Sequence, residues 1–144
     1  MRVAHTLFLP VTVWFLAAGC DLTRAPLMDE ALLGTAWQVD KLWTPEETIR
    51  PGPDTTMIVH FLDDWDVGAS TPCNHFSGVY AMLGGWTLSV TFLSQTEMAC
   101  GGRRSILEGR FVLALEAADR FTLDENVLML DDFWGRYKIK LSPR

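Results

Sequence analysis

Cysteine is scarce in this sequence: three residues in 144, at Cys20, Cys73 and Cys100, with no Cys-x-x-Cys pair among them. A structural zinc site built on paired thiolates therefore has no sequence support. Positive charge is also short. Twelve Lys and Arg face eighteen Asp and Glu, for a formal net charge of −6, which argues against nucleic acid as a partner and against a polybasic grip on anionic lipid. Walker, Rossmann and serine-hydrolase motifs are missing, so no phosphate loop, dinucleotide fingerprint or nucleophile elbow is on offer and no cofactor is expected. There is no internal repeat and no low-complexity tract, and the length suits one domain.

Long apolar runs are limited to one, at the start. The opening "MRVAHTLFLPVTVWFLAAGC" carries Arg2, then an apolar stretch from Thr6 to Ala18, then small residues up to Cys20. A charged start, a short apolar middle and a small-residue exit predict a secretory signal over residues 1–19, too short to be a comfortable permanent span. The exit "LAAGC" resembles the lipobox of bacterial lipoproteins, with Leu16 one place early and Ala17 in its slot. That resemblance implies cleavage before Cys20 and lipidation of its thiol, which would tether the domain to a membrane through several acyl chains. Processing that leaves Cys20 as a free thiol is the alternative. Asp21, directly after it, resembles an inner-membrane retention signal in bacteria that use that rule. Loss of residues 1–19 leaves 125 of the 144 residues and, with Arg2 gone, moves the charge from −6 to −7. Residues 20–30, with Pro26, read as a short tether, and 31–144 as the domain.

Within the domain, period-two alternation predicts strands. "TLSVTF" sets Leu88, Val90 and Phe92 against Thr87, Ser89 and Thr91. "RYKIKL" sets Tyr137, Ile139 and Leu141 against Arg136, Lys138 and Lys140, and the outward cations suit a terminal edge strand. "TMIVHFL" is apolar on both faces and predicts a central strand. Further strands are expected at "TAWQVDKLW", "FSGVYAML", around Phe121 and at "NVLML", with turns at "PGPD", "GG" and "DEN" between them. One segment departs from this pattern: Leu107, Phe111, Ala114, Leu115 and Ala118 recur at helical spacing, and Ser105 with Glu108 reads as a capping box. The expected fold is mainly β (α+β), a small curled antiparallel sheet or open barrel with one packed helix across its open side.

Order and spacing then become specific. Gly34, Thr35 and Trp37 ("GT-W"), Phe61, then Cys73, Asn74, Phe76, Gly78 and Tyr80 ("CN-F-G-Y"), Thr96, Met98 and Cys100 ("T-M-C"), Glu108, Phe111 and Leu115 ("E--F---L"), and Leu128 and Leu130 follow one another from Leu33 to Leu141. This series resembles the META domain family, whose bacterial members include heat-shock lipoproteins of the HslJ type. The resemblance implies a compact β domain with one helix, an envelope lipoprotein, a link in some members to heat stress, and no family-wide catalytic activity. Pro72 stands before Cys73, and the glycine frequent near that position in the family is absent here.

Cys73, His75 and Cys100 admit three readings. An exported domain sees oxidising surroundings, and with Cys20 consumed by lipid two thiols remain for a Cys73–Cys100 disulfide, which would contribute about 3–4 kcal/mol by chain entropy. A metal site would use the same three residues but has no evident fourth ligand. A nucleophilic Cys73 with His75 or His60 as base lacks an orienting third group. "DDWD" at Asp63 to Asp66 lacks the length, glycine and closing glutamate of a calcium loop, and "GGRR" before the helix reads as a linker with exposed cations. No catalytic residue and no metal are expected. The expected function is a non-enzymatic, membrane-anchored envelope lipoprotein, a stress-associated binding or scaffolding module with an unknown envelope protein as partner. The alternative is a carrier of a small apolar ligand or lipid, with Met57, Phe61 and Met82, and also Met98, Phe76 and Tyr80, lining a cavity between sheet and helix.

Overall fold

Alternating apolar residues that must all reach one core set the path of the chain. The structure, a computed structural model, describes residues 31–144; the signal segment 1–19, the tether 20–30 and the lipidation site Cys20 lie outside the described residues. The strands are β1 (Thr35–Trp43), β2 (Thr48–Ile49), β3 (Ile58–Phe61), β4 (Asp66–Ser70), β5 (His75–Met82), β6 (Leu88–Gln95), β7 (Arg120–Asp124), β8 (Val127–Asp131) and β9 (Lys138–Pro143). One helix, α1 (Arg103–Ala117), separates β6 from β7. All neighbouring strands pair antiparallel in a single curled sheet ordered β6-β5-β4-β3-β1-β9-β8-β7, with β2 beside β1.

The first strand is the centre of this arrangement. Its beginning pairs with β3 and its end with β2 along the same edge, while β9 pairs along the opposite edge with a register break between Val39 and Lys41. The two outer strands of the sheet then curl toward each other and touch at one corner. There Thr87 and Arg120 form a bridge, the Leu88 amide donates to the Asp119 carbonyl, and the Phe121 amide donates to the Trp86 carbonyl. Elsewhere the edges splay, and α1 fills the gap with Leu107, Phe111, Ala114 and Leu115 buried. Each such leucine or phenylalanine contributes about 1.5–3 kcal/mol on leaving water. The Glu116 carboxylate accepts the Phe92 amide of β6 at 3.2 Å, so a helix side chain satisfies a backbone donor on the strand's open edge.

Most expected elements are present, and the differences have physical causes. "RYKIKL" is no edge strand: β9 lies between β1 and β8, and Lys138 and Lys140 simply face the solvated outer side of a curled sheet. The helix starts two residues before Ser105, with Gly102 at its N-cap in a positive-φ conformation (φ 66) and no side-chain cap. Ser105 and Glu108 make no capping box, because the Glu108 carboxylate is engaged elsewhere, as described below. "TMIVHFL" is central as expected, although only Ile58–Phe61 are in strand, with Met57 buried just before it. Asp66–Ser70, outside the expected strands, forms β4 after a short 3-10 turn at Asp63–Trp65.

One glycine is dictated by backbone contact. Opposite β5, Leu93 is an extra residue in β6, since Ser77 pairs with Ser94 and Gly78 with Phe92. That bulge presses β6 onto Gly78: a Cβ there would sit 2.1 Å from the Thr91 carbonyl oxygen and 2.7 Å from the Phe92 Cα. Backbone cannot rotate aside as a flexible side chain does. Gly78→Ala is expected to lower stability by roughly 1–3 kcal/mol or more, read as the denaturant midpoint; a midpoint equal to that of the unsubstituted chain would show that the two strands do not meet in this register.

Candidate functional site: a buried clasp around Asn74

The motif residues of the middle of the chain converge where the β4–β5 turn, the β6–α1 loop and the first turns of α1 meet. Cys73 and Cys100, 27 positions apart, form a disulfide with Cα atoms 5.8 Å apart. Beside it lies Asn74, only 6% exposed. Its side-chain oxygen accepts hydrogen bonds from the Thr96 hydroxyl at 2.9 Å and the Met98 amide at 2.8 Å. Its side-chain nitrogen donates to Glu108 Oε1 at 2.9 Å and toward the Cys73 sulfur at 3.3 Å. An asparagine amide has two donor hydrogens and two acceptor lone pairs; all four are occupied.

The surrounding backbone is held by the same groups. The Asn74 amide donates to Glu108 Oε2 at 2.8 Å and lies 2.9 Å from the Thr71 hydroxyl oxygen. That hydroxyl also receives the Cys73 amide at 3.2 Å and gives its own proton to Glu108. Thr96 pairs with His75 twice, its amide donating to the His75 carbonyl and its hydroxyl accepting the His75 amide, both at 3.0 Å. Thr71 therefore supplies the turn-stabilising hydroxyl immediately before Pro72, and the turn is fixed by side chains rather than by a glycine.

Glu108 is the member whose role the spacing misassigned. Burial by itself raises the affinity of its carboxyl for a proton, but hydrogen bonds from the Thr71 hydroxyl, the Asn74 side chain and the Asn74 amide outweigh burial, so its pKa is lowered from the ordinary glutamate value. Three donors directed at one carboxylate are a stronger attraction than the free amide of a helix cap. The available signal was the place of Glu108 in the "E--F---L" series, one turn before the buried Phe111.

The other expected site residues divide among separate places. Gly34 turns the chain at φ 69, and Thr35 uses its hydroxyl twice, donating to the Leu32 carbonyl at 2.5 Å and accepting the buried Trp37 indole N–H at 2.7 Å. Phe76 packs on Phe92 with ring centres 5.4 Å apart, and Tyr80 meets Phe61 edge-on at 5.0 Å. Met57 and Phe61 are fully buried in the core, Met82 is half-buried against it, and the Met98 side chain is exposed. Open grooves between β6 and α1, of about 280 and 330 Å³, are lined by Phe76, alone of the residues expected to line a cavity, with Phe92, Gln95, Val112, Leu113 and Glu116. His75 does not face the sulfurs; its ring lies on the outer face, 3.1 Å from the Ser70 hydroxyl. With Cys73 and Cys100 joined, neither sulfur is a thiolate for metal or nucleophilic chemistry. Asp132, unremarked in the sequence, is a buried carboxylate that accepts the Tyr137 amide at 2.6 Å and Arg136 Nε at 3.3 Å, and so holds the β8–β9 turn.

The META domain model matches residues 30–139. The chain belongs to the META domain family. Among solved structures, an NMR structure of a protein from Burkholderia xenovorans is similar with a TM-score of 0.67 at 19% identity, covering 81% of this chain and 86% of that one. A crystal structure of a DUF4847 family protein from Bacteroides vulgatus gives a TM-score of 0.60 at 16% identity, covering 80% of this chain and 96% of that one. At such identities the likeness shows the fold alone. No curated protein is significantly similar in sequence. The META motif "CN…T-M-C…E" is, in this chain, the covalent and hydrogen-bonded clasp that ties the sheet to its helix.

Two outcomes test the clasp. Cys100→Ser should lower the melting temperature by roughly 10 °C or more, since loss of a native disulfide from a small domain costs about 2–5 kcal/mol; unchanged melting would show that the sulfurs are not joined. Because the folded pKa of Glu108 is depressed, its contribution is complete above the ordinary glutamate range and is lost as pH falls through the depressed folded value. Glu108→Gln, which places an NH₂ among three donors, is expected to lose about 1–3 kcal/mol at neutral pH and to flatten the acid limb of a stability-against-pH curve. An acid limb as steep as that of the unsubstituted chain would assign it to other carboxylates.

Proposed function

We propose that this META domain is the soluble part of a bacterial envelope lipoprotein, anchored through Cys20 and serving as a non-enzymatic, stress-associated binding or scaffolding module. The observation that carries this reading is the internal use of the chemically capable groups of the clasp: Asn74 has no free hydrogen-bonding position, and Cys73 and Cys100 are bonded to each other. Groups that are spent on holding the fold are not available to attack, protonate or ligate a substrate. Export supports the disulfide, because such bonds persist where thiols are not kept reduced, and the lipobox-like "LAAGC" supplies both export and anchor. Asp21 supports the inner membrane as its seat. The partner in this reading is another envelope protein.

A second reading, a carrier of a small apolar ligand or lipid, is favoured by the grooves between β6 and α1, where Phe76, Phe92 and Val112 offer an apolar lining. Their position differs from the cavity expected around Met57, Phe61 and Met82. Native mass spectrometry of the purified domain separates the two, since a carrier retains a bound small molecule and a scaffold does not. The anchored-module reading is tested by metabolic labelling with a radioactive fatty acid and by fractionation. The unsubstituted chain is expected to take up label and sediment with membranes, and Cys20→Ser to lose the label. An unlabelled chain recovered intact in the cytosol would end this reading.

A further inference from the structure

The corner formed by the β3–β4 turn and the end of β5 carries two energetically unfavourable features side by side. Tyr80, 2% exposed, has a hydroxyl that is buried without a hydrogen-bond partner among the described residues. Its ring lies 5.4 Å from that of Trp65, a residue held at φ 68, in the left-handed region that β-carbon-bearing residues rarely adopt. Trp65 sits at the end of the 3-10 turn Asp63–Trp65, which the Leu62 amide closes by donating to the Asp66 carbonyl at 2.8 Å. Its side chain is 41% exposed, so the strained backbone does not serve to bury it. A backbone outlier beside an orphaned polar group is the pattern from which a binding role is inferred.

The chemistry of the missing partner follows from the surroundings. Asp63 opens the same 3-10 turn whose Trp65 ring packs on Tyr80, which brings a carboxylate to this corner; burial and then the Asp63 charge hold the Tyr80 phenol protonated, and the Asp63 Oδ1 lies 3.8 Å from where a Cβ on Gly34 would be. A group that donates to the phenol oxygen and to the carboxylate together is rich in donors and positively charged. The rings of Trp65 and Tyr80 favour the same sign, because their faces attract cations. We propose that Asp63, Trp65 and Tyr80 form a recognition site for a primary alkylammonium group, with Trp65 as a roof that swings aside on entry. The ammonium hydrogens would donate to the Tyr80 oxygen and the Asp63 carboxylate, and the alkyl stem would lie against the Trp65 indole. This site shares no residue with the clasp around Asn74 and does not depend on the anchored-module reading.

The test uses the full chain after export, with n-butylammonium chloride as probe and the indole N–H resonance of Trp65 in ¹H–¹⁵N spectra as readout. A saturable shift in the millimolar range is expected with the amine and not with sodium chloride at equal ionic strength. Asp63→Asn should weaken the apparent affinity at least tenfold, and Tyr80→Phe severalfold, while Tyr80→Phe melts no lower than the unsubstituted chain because the hydroxyl it loses has no partner among the described residues. Trp65→Gly, which fits the positive φ without strain, should fold and lack one indole N–H resonance, which assigns the Trp65 signal. Vesicles of phosphatidylethanolamine set against phosphatidylglycerol distinguish a lipid headgroup from a free amine as the source. Selective broadening of Trp65 by the former, reversed by butylammonium, assigns the lipid, and a response to the soluble amine alone assigns a free amine. Absence of a saturable Trp65 shift with both amine and vesicles, or an undiminished shift in Asp63→Asn, would overturn the proposal.

Discussion

A single buried amide, the side chain of Asn74, decides how the helix meets the sheet. Three segments that are far apart in the chain each give it a partner: the β4–β5 turn through the Cys73 sulfur, the β6–α1 loop through Thr96 and Met98, and α1 through Glu108. An unsatisfied buried polar group is expensive, so removing any one partner penalises the others rather than merely subtracting a bond. This is why the network specifies position as well as adding stability. The disulfide beside it acts by a different route, restricting the unfolded chain across the loop from Cys73 to Cys100. One constraint narrows the alternatives before folding, and the other selects among what remains.

The need for such a clasp follows from incomplete closure of the sheet. Its outer strands touch at a single corner through Thr87 and Arg120 and diverge beyond it, so the core there is covered by α1 alone. The helix has no side-chain cap at Gly102, and its first turn would fray in isolation. Glu108 anchors that end to the β4–β5 turn, and near the other end Glu116 reaches the open edge of β6. Along the same span the buried stripe from Leu107 to Leu115 supplies the apolar contact. Charged side chains therefore fix the helix at both ends while apolar ones hold its middle.

Period-two alternation made β1, β5, β6 and β8 legible in the sequence, because each has one wet face and one buried face. Alternation reports faces, however, and is silent about neighbours. The lysines of β9 face outward from the middle of a curled sheet as they would from its edge, and the sequence offered no way to tell the two apart. The strand at Asp66–Ser70 was hidden by Gly68 and by the acidic run before it, though Val67 and Ala69 carry the right period. Ser105 and Glu108 satisfied a local rule that a distant interaction overrode. The disulfide could be reached by counting sulfurs. The Asn74 network could be reached only as an ordered set of motif residues, since no spacing rule tells that Asn74, Thr96 and Glu108 meet.

The two polar environments along β5 differ in what they leave available. At the strand's entrance every hydrogen-bonding position of Asn74 is occupied, and a ligand there would have to break a bond for each one it made. Near the other end Tyr80 buries a hydroxyl that makes no hydrogen bond among the described residues. Six steps along the extended chain, about 20 Å, lead from one to the other, with Gly78 between them locked against β6. A rigid strand fixed at one end by a saturated network can hold an unsaturated group in a costly position at the other. The clasp and the close approach at Gly78 fix the first half of β5, and the Tyr80 hydroxyl, unpaired among the described residues, lies farther along the same strand.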